Sequence, residues 1–365
     1  MLPILAGLLS IWTGAGTLYA QSEAEAMGIV VDAQTGEPLK GAHVFLSGTK
    51  IGTATDRRGH YRLRSIPPGG YRLVVSIIGY KTAGIDIVIG PGETLRLDYQ
   101  LNPVVYEMPE IYVGNLDKKW KKSLEQFTHY FIGDTQWADS VKILNPEVLR
   151  FEKSWWGRLS AEALAPLKIE NRALGYRITY HLKEFEHSGT LTRWDGDPLF
   201  TEMVPDDSLQ AAVWERNRKK AFYGSLRHFI LAMLQNRIRE EGFIVYNLRK
   251  NIRGLSPHRF PVSARRYLSE SEDQYLQHLN FFGRLEIIYT EDGEDRNYVR
   301  WQRLQRPPAR SQTSYLELNE HPITVDDDGE ILEPYGATQF GYFSYERLGD
   351  ATPREYRPDD YPRLN

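Results

Sequence analysis

The sequence predicts an N-terminal all-β sandwich of about seven strands followed by an α+β domain. Three observations carry that expectation. Between residues 28 and 101 short alternating runs are separated by glycine- and proline-marked turns; from residue 118 apolar residues recur every three or four positions; alternating runs return after residue 243.

Ile29 to Asp32 reads as the first strand and Gln34-Thr35-Gly36-Glu37-Pro38 as a turn, because Gly36 tolerates positive φ and Pro38 cannot donate to a ladder. Val44 and Leu46 alternate with His43, Phe45 and Ser47, the period of a half-buried strand. Gly48 and Gly52 bracket a tight connection, and Thr53 to Thr55 leads to a turn at Asp56-Arg57-Arg58-Gly59. Tyr61 and Leu63 then share a face opposite Arg62 and Arg64. After Pro67-Pro68-Gly69-Gly70 comes the longest alternation, Tyr71, Leu73, Val75 and Ile77; Ile85 to Ile89 and Thr94 to Leu101 follow around Gly90-Pro91-Gly92.

Residues 103–117 are apolar and proline-punctuated, which suits an extended connector. Trp120, Leu124, Phe127 and Phe131 then mark a helix with a basic flank of Lys118, Lys119, Lys121 and Lys122. Val141, Leu144, Val148 and Phe151 are expected to be buried around the Asn145-Pro146 break. Leu167 to Phe185 is expected as strand, and Asp195-Gly196-Asp197-Pro198 as a turn. Ser225 suits the N-cap of a helix whose core face is Leu226, Phe229, Ile230, Met233, Leu234 and Ile238, with Gly242 at its C′ position. Strands are expected at Phe243 to Leu248, Leu285 to Thr290 and Asn297 to Trp301; Ile323 to Val325 and Glu330 to Leu332 flank a hairpin turn at Asp326-Asp327-Asp328-Gly329. The expected division is a leader over 1–20, the sandwich over 27–102, a linker over 103–117, the α+β domain over 118–350 and a polar tail over 351–365.

The positions Gly28, Val30, Asp32, Thr35-Gly36-Glu37-Pro38-Leu39, Gly41-Ala42, Val44, Gly48-Thr49, Gly52-Thr53, Thr55-Asp56, Gly59, Tyr61, Leu63, Ile66, Pro68-Gly69, Tyr71, Leu73, Val75 and Ile78-Gly79-Tyr80 together resemble the carboxypeptidase regulatory-like domain. That resemblance implies a transthyretin- or Ig-like sandwich. It implies no peptidase chemistry, since in that family the domain is an appendage of certain metallocarboxypeptidases; it also resembles the N-terminal extension of outer-membrane nutrient receptors of Gram-negative bacteria. Envelope location and protein contacts are therefore what it implies. Ile143-Leu144-Asn145-Pro146-Glu147-Val148-Leu149, Ile169-Glu170-Asn171-Arg172-Ala173-Leu174-Gly175-Tyr176, Tyr223-Gly224-Ser225-Leu226-Arg227-His228-Phe229 and Gly341-Tyr342-Phe343 are similar to exported bacterial proteins that carry this domain before an uncharacterised one. No downstream run resembles the ten-residue alternating strands of a receptor barrel.

With 365 residues, 41% hydrophobic and 25% charged, the chain can hold two ordinary cores. A net charge of -3 offers no basic excess for a phosphate backbone, so nucleic acid is not expected as a partner. Leu2 to Ala20 is apolar and ends in a small residue before Gln21-Ser22-Glu23, which reads as a leader cleaved after Ala20 for export to the periplasm or outer-membrane surface. Met1 is followed directly by Leu2, so the basic start of such a leader is missing, and a retained anchor over the same residues is the alternative. There is no cysteine, which excludes disulfides, thiolate metal sites and thiol catalysis.

His181-Leu182-Lys183-Glu184 has the His-x-x-Glu spacing of a zinc pair, with His278 or His321 as a distant third ligand. On a strand, however, His181 and Glu184 point to opposite faces about 10 Å apart. Asp326 to Glu330 is rich enough in oxygen for calcium but lacks the twelve-residue ligand spacing of an EF-hand, and a solvated turn is expected. Glu184 with Glu186, Asp206-Asp207 and the run Arg216, Arg218, Lys219 and Lys220 read as surface patterns, and Gly224-Ser225-Leu226 as a helix start. Trp155-Trp156 suits core or domain-interface packing, or stacking on sugar or a partner. No catalytic, cofactor-binding or metal-binding residue is nominated and no cofactor is expected. The leading expectation is a non-enzymatic envelope protein with a binding or assembly role, its partner an envelope protein or glycan, with membrane association left open. The alternatives are a peptide or glycan hydrolase whose site is non-local in the second domain, and a membrane-tethered structural subunit.

Overall fold

The sandwich arises where the alternation places it. In the computed structural model, which describes residues 24–104, 118–155, 157–249 and 258–362, its strands are β1 (Ala24–Asp32), β2 (His43–Leu46), β3 (Gly52–Ala54), β4 (His60–Ile66), β5 (Gly69–Ser76), β6 (Ala83–Ile89), β7 (Thr94–Arg96) and β8 (Tyr99–Leu101). The expected leader with its Ala20 cleavage site, most of the linker and Trp156 lie outside the described residues. β4 runs antiparallel to β1, while β7 and β8 pair in parallel with successive parts of β1; the second sheet has the order β3-β2-β5-β6. The final segment expected as one strand is thus two, broken at Leu97-Asp98. Val30, Val44, Leu46, Leu63, Leu73 and Val75 fill the space between the sheets.

Many residues of the family pattern make the turns. Asp32 accepts the N–H groups of Gln34 and Thr35 at 2.7 and 2.9 Å through one oxygen and the Tyr80 hydroxyl at 2.7 Å through the other. The Tyr80 bond, then the two backbone bonds, hold its carboxyl below the usual range. Asp56 accepts from Arg58 N and His60 N in the same way, and Thr55 ties Ala42 N to Leu39 O.

The next region begins with α1 (Lys118–Ile132) and continues through β9 (Val141–Ile143), β10 (Leu149–Lys153), β11 (Leu159–Ala163), β12 (Leu167–Asn171), β13 (Tyr176–Ser188) and β14 (Leu191–Glu202). The long β13 has β14 along one edge and β12 then β11 along the other. Phe127 and Phe131 of α1 bury their rings against Phe185 and Tyr180, as the helical spacing requires. Three expectations fail here. Leu167 to Phe185 is a hairpin, because Asn171 accepts from Ala173 N and Leu174 N and folds the chain back. Asp195 to Pro198 is not a turn but the middle of β14, opposite a bulge at Lys183; Gly196 is needed there, since a Cβ would lie 2.3 Å from the Tyr180 ring and 2.6 Å from His181 O. Leu144 is exposed, Val148 and Phe151 are half-buried, and Leu149 takes the core position instead.

Beyond them come α2 (Ser208–Phe222), α3 (Leu226–Leu234), β15 (Phe243–Arg249), β16 (His258–Pro261), β17 (Leu268–Glu270), β18 (Leu276–Leu279), β19 (Arg284–Tyr289), α4 (Arg296–Trp301), β20 (Gln312–Leu318), β21 (Ile323–Asp326), β22 (Ala337–Gly341) and α5 (Tyr342–Tyr345). One sheet has the order β16-β15-β19-β20-β22, a smaller one β17-β18-β21. Ser225 caps α3 as expected, accepting from His228 N. The helix stops earlier than its apolar stripe, because Asn236 at φ 58° lets Asn236 N reach Met233 O and Arg237 N reach Ala232 O. Asn297 to Trp301 is helix rather than strand, since the Asp295 carboxylate caps it by accepting from Asn297 N.

Among the described residues, the region expected as one α+β domain holds two large apolar cores, one around Phe127, Ile178 and Phe185 and one around Phe229, Phe243 and Ile287, with a smaller cluster of Tyr298, Tyr342 and Tyr345. The expected polar tail is packed as far as it is described, with Arg354 and Tyr361 buried.

Candidate functional site

The sandwich is fixed to the rest of the chain through its β3-β2-β5-β6 sheet. Gly48 N–H donates to Pro198 O at 2.7 Å and Phe200 N–H to Thr49 O at 2.9 Å, so the β2–β3 loop pairs with β14. On the other side of that loop Arg354 N–H donates to Gly48 O at 2.9 Å, and Glu355 accepts from Lys50 N at 2.8 Å. Phe45 is wholly buried because its outer face stacks on the His181 ring, centroids 5.0 Å apart. Burial pushes that imidazole down to about 4, with His43 adding to the effect. Arg72 and Lys183 both pair with buried Asp197, at 3.3 and 3.2 Å.

At the centre of this joint is Arg354. Its guanidinium contacts Asp326, donates to Gly70 O at 2.8 Å and lies over the Tyr71 ring at 4.8 Å. Asp326 meanwhile accepts Asp328 N and Glu330 N, both at 2.9 Å, and Asp328 pairs with Arg357 at 2.9 Å. Desolvation lifts the Asp326 carboxyl and the Arg354 guanidinium opposes that rise. The acidic loop expected as a solvated turn is thus the buried acceptor of two C-terminal arginines.

Some 330 Å³ of cavity opens between the start of α3, the chain after β21 and the segment running from α5 to Thr352. Phe222, Leu226, Ile331 and Phe343 give it an apolar wall; Arg227, Glu330, Glu333, Glu346, Arg347 and Asp350 supply charge. Arg227 is turned to the C-terminal segment, donating to Pro353 O at 3.0 Å and to Tyr356 O. Both Glu333 oxygens accept Thr324 N, at 3.0 and 2.8 Å. Asp350 accepts Arg347 N at 3.1 Å, whereas the Glu346 carboxylate has neither a hydrogen bond nor an ion pair. Burial raises Glu346 well above the usual range, Asp350 adding to it, and pushes Asp350 up to about 7 against the Arg347 N–H.

A pH dependence of stability follows from Asp350. The folded chain holds that proton up to about pH 7, whereas the unfolded chain loses it near the ordinary value of 3.8. Between those limits the folded state binds more protons, so its stability falls as pH rises and levels off above the folded value. Asp350→Asn, neutral throughout, is expected to match the parent at pH 4 and exceed it by roughly 1–3 kcal/mol at pH 8. Urea unfolding of both chains across that range tests this; parallel pH profiles would contradict it.

The residues weighed from sequence do not meet at one place. His181 faces the sandwich, Glu184 accepts from the Tyr335 hydroxyl, His278 lies in β18 opposite Thr324, and His321 stacks on Phe282. Among the described residues no group of three or more His, Asp or Glu is placed to hold a metal ion. Trp155, expected in a core or interface, is 92% exposed. The basic run is not a free face: Arg218 donates to Leu174 O and lies over the Tyr176 ring, Lys219 pairs with Asp360 and Lys220 with Asp292. Sequence reasoning missed Glu346 and Asp350, whose only local signal is two acids four residues apart after an aromatic stretch. It also missed His228, which is buried, accepts Gly224 N–H at Nδ1 and faces Glu241 at Nε2.

Residues 26–113 match the family model described as the CarboxypepD_reg-like domain. No curated protein matches the chain. Among solved structures it is similar to the major pilin subunit BcpA of Bacillus cereus, at 18% identity over 23% of this chain and 31% of that one, with a TM-score of 0.20. It is also similar to catechol 1,2-dioxygenase from Acinetobacter sp. ADP1, at 16% identity over 28% and 59% of the two chains with a TM-score of 0.21. Klebsiella pneumoniae 5-hydroxyisourate hydrolase matches at 22% identity over 22% of this chain and 92% of the other, TM-score 0.19. The chain spans about a third of the pilin and about three fifths of the dioxygenase. Likenesses at these scores carry no functional argument.

Proposed function

We propose that this chain, whose N-terminal sandwich is a carboxypeptidase regulatory-like domain, is an exported envelope protein that binds or assembles rather than catalyses. One observation carries the reading. The residues that match the domain family are used in turns, in the sandwich core and in the joint, as with Asp32, Thr55, Asp56 and Gly48, and none of them lines the cavity beside α3. The joint holds the sandwich and the C-terminal region together through the β3-β2-β5-β6 sheet, which supports a reading in which the partner, an envelope protein or a glycan, meets the β4, β1, β7 and β8 sheet. The apolar run Leu2 to Ala20 supports export to the periplasm or outer-membrane surface.

Expression of the full chain in a Gram-negative host, fractionation and N-terminal sequencing test the location. The mature chain is expected in the envelope fraction, starting at Gln21; recovery from the cytoplasm with Met1 in place would overturn the proposal. The hydrolase alternative has one observation in its favour, the raised Asp350 and Glu346 carboxyls at a cavity, as a general acid requires. Turnover of peptide or glycan substrates that Glu346→Gln abolishes would establish it.

A further inference from the structure

We propose that the cavity beside α3 is a binding site for a small organic cation, a primary ammonium on a short apolar stem, anchored by the Glu346 carboxyl. The inference concerns the C-terminal region and does not depend on where the protein resides.

At about 330 Å³ the cavity is at the small end of the range that holds ligands. Its polar groups are mostly committed. The Arg227 guanidinium serves Pro353 and Tyr356, Glu333 holds Thr324 N, and Asp350 holds Arg347 N. The Glu346 carboxylate lines the space with no hydrogen bond or ion pair, and the Glu330 carboxylate beside the cavity is likewise uncommitted. Glu346 stands beside the Asp350 carboxyl, in an arrangement that disfavours its charge. A half-buried carboxylate facing an apolar wall gains from a counter-charge and hydrogen-bond donors, and an ammonium supplies both with three N–H groups. Phe222, Leu226, Ile331 and Phe343 around it suit an apolar stem rather than a second charge. An anion has no equivalent here, because the donors of Arg227 at Nη1 and Nη2 already serve backbone carbonyls and the Arg347 guanidinium is turned to the Trp194 ring, 4.9 Å from its centroid. A metal ion is disfavoured too, since no third ligand stands near the two acids among the described residues.

Two sources present this group, a free amine and a lysine side chain of a peptide. Isothermal titration of the full chain with n-butylamine, with Nα-acetyl-lysine methylamide and with butan-1-ol at pH 7 separates them. Butylamine is expected to bind one to one and butanol not to bind; binding of the lysine derivative as well assigns the site to a side chain, and its exclusion to a free amine. Repeating the titration in buffers of different ionisation enthalpy should show proton release, because the bound ammonium makes Glu346 give up its proton. Affinity should rise with pH from 5 to 8, and Glu346→Gln should lower it about tenfold or more. Equal binding of butanol, no binding of either amine at millimolar concentration, or full affinity in a folded Glu346→Gln chain would overturn the proposal. Should that variant not fold, the amine–alcohol difference and the proton release in the parent chain decide.

Discussion

Arg354→Met is expected to destabilise the folded chain by about 3–5 kcal/mol and to loosen the sandwich from the rest. Asp326 is 1% exposed, so loss of the guanidinium leaves a carboxylate in the interior facing only two backbone N–H groups. Gly70 O also loses its donor and the Tyr71 ring its cationic neighbour. Methionine keeps most of the stem volume, so the loss reports the charge and its hydrogen bonds rather than a cavity. Urea unfolding followed by far-ultraviolet circular dichroism measures the size. A second, earlier transition from the sandwich is expected, since the joint is then held at its edge, by the backbone bonds at Gly48 and Thr49, the Phe45–His181 stack and the Asp197 ion pairs. Asp326→Asn removes the charge but keeps an acceptor for the Asp328–Glu330 turn. The double variant is accordingly expected to be more stable than Arg354→Met alone, a coupling that a double-mutant cycle reads directly. A loss under about 1 kcal/mol with one unchanged transition would show that the joint does not depend on this pair.

The sandwich was legible because its causes are local. Alternation at Tyr61, Leu63, Tyr71, Leu73 and Val75 and turn chemistry at Asp32, Gly36 and Asp56 are properties of a few neighbouring residues, and they hold in the fold. What was misread depends on distant partners. Phe45 was expected on a solvated face and is buried by His181, and Arg354 belongs to a stretch that reads as tail until Asp326 and Gly70 close around it. Asp195 to Pro198 has turn composition, yet its glycine is there to let the Tyr180 ring lie against β14. Asn297 to Trp301 looks strand-like by its aromatic and β-branched content, and the Asp295 cap decides for helix. The cavity was illegible for the same reason: Leu226, Ile331 and Glu346 come together only through the packing of three separate segments.

Gly28→Ala is expected to cost about 3 kcal/mol or more and to confine its damage to the sandwich. At this position a Cβ would stand 1.9 Å from Leu97 O and 2.6 Å from Leu97 C, and both are backbone atoms that cannot rotate away. The crowding is built into the topology, because the chain steps between β7 and β8 at Leu97 while both strands pair with β1. Three bonds pin that step: Leu97 N–H to Met27 O at 2.9 Å, the Tyr61 hydroxyl to Leu97 O at 2.7 Å, and Ile29 N–H to Asp98 Oδ1 at 2.9 Å. To admit a methyl group the step must move, and the parallel pairing of both strands moves with it. Gly36 is the instructive contrast. It has φ 73° with nothing within 4 Å of an added Cβ, so Gly36→Ala should cost only about 1 kcal/mol of backbone strain. Amide hydrogen exchange distinguishes the two: Gly28→Ala should expose amides of β1, β7 and β8 while α3 and β15 keep their protection, and Gly36→Ala should leave all of them protected. Equal behaviour of the two variants would show that the step at Leu97 yields to a methyl group at residue 28.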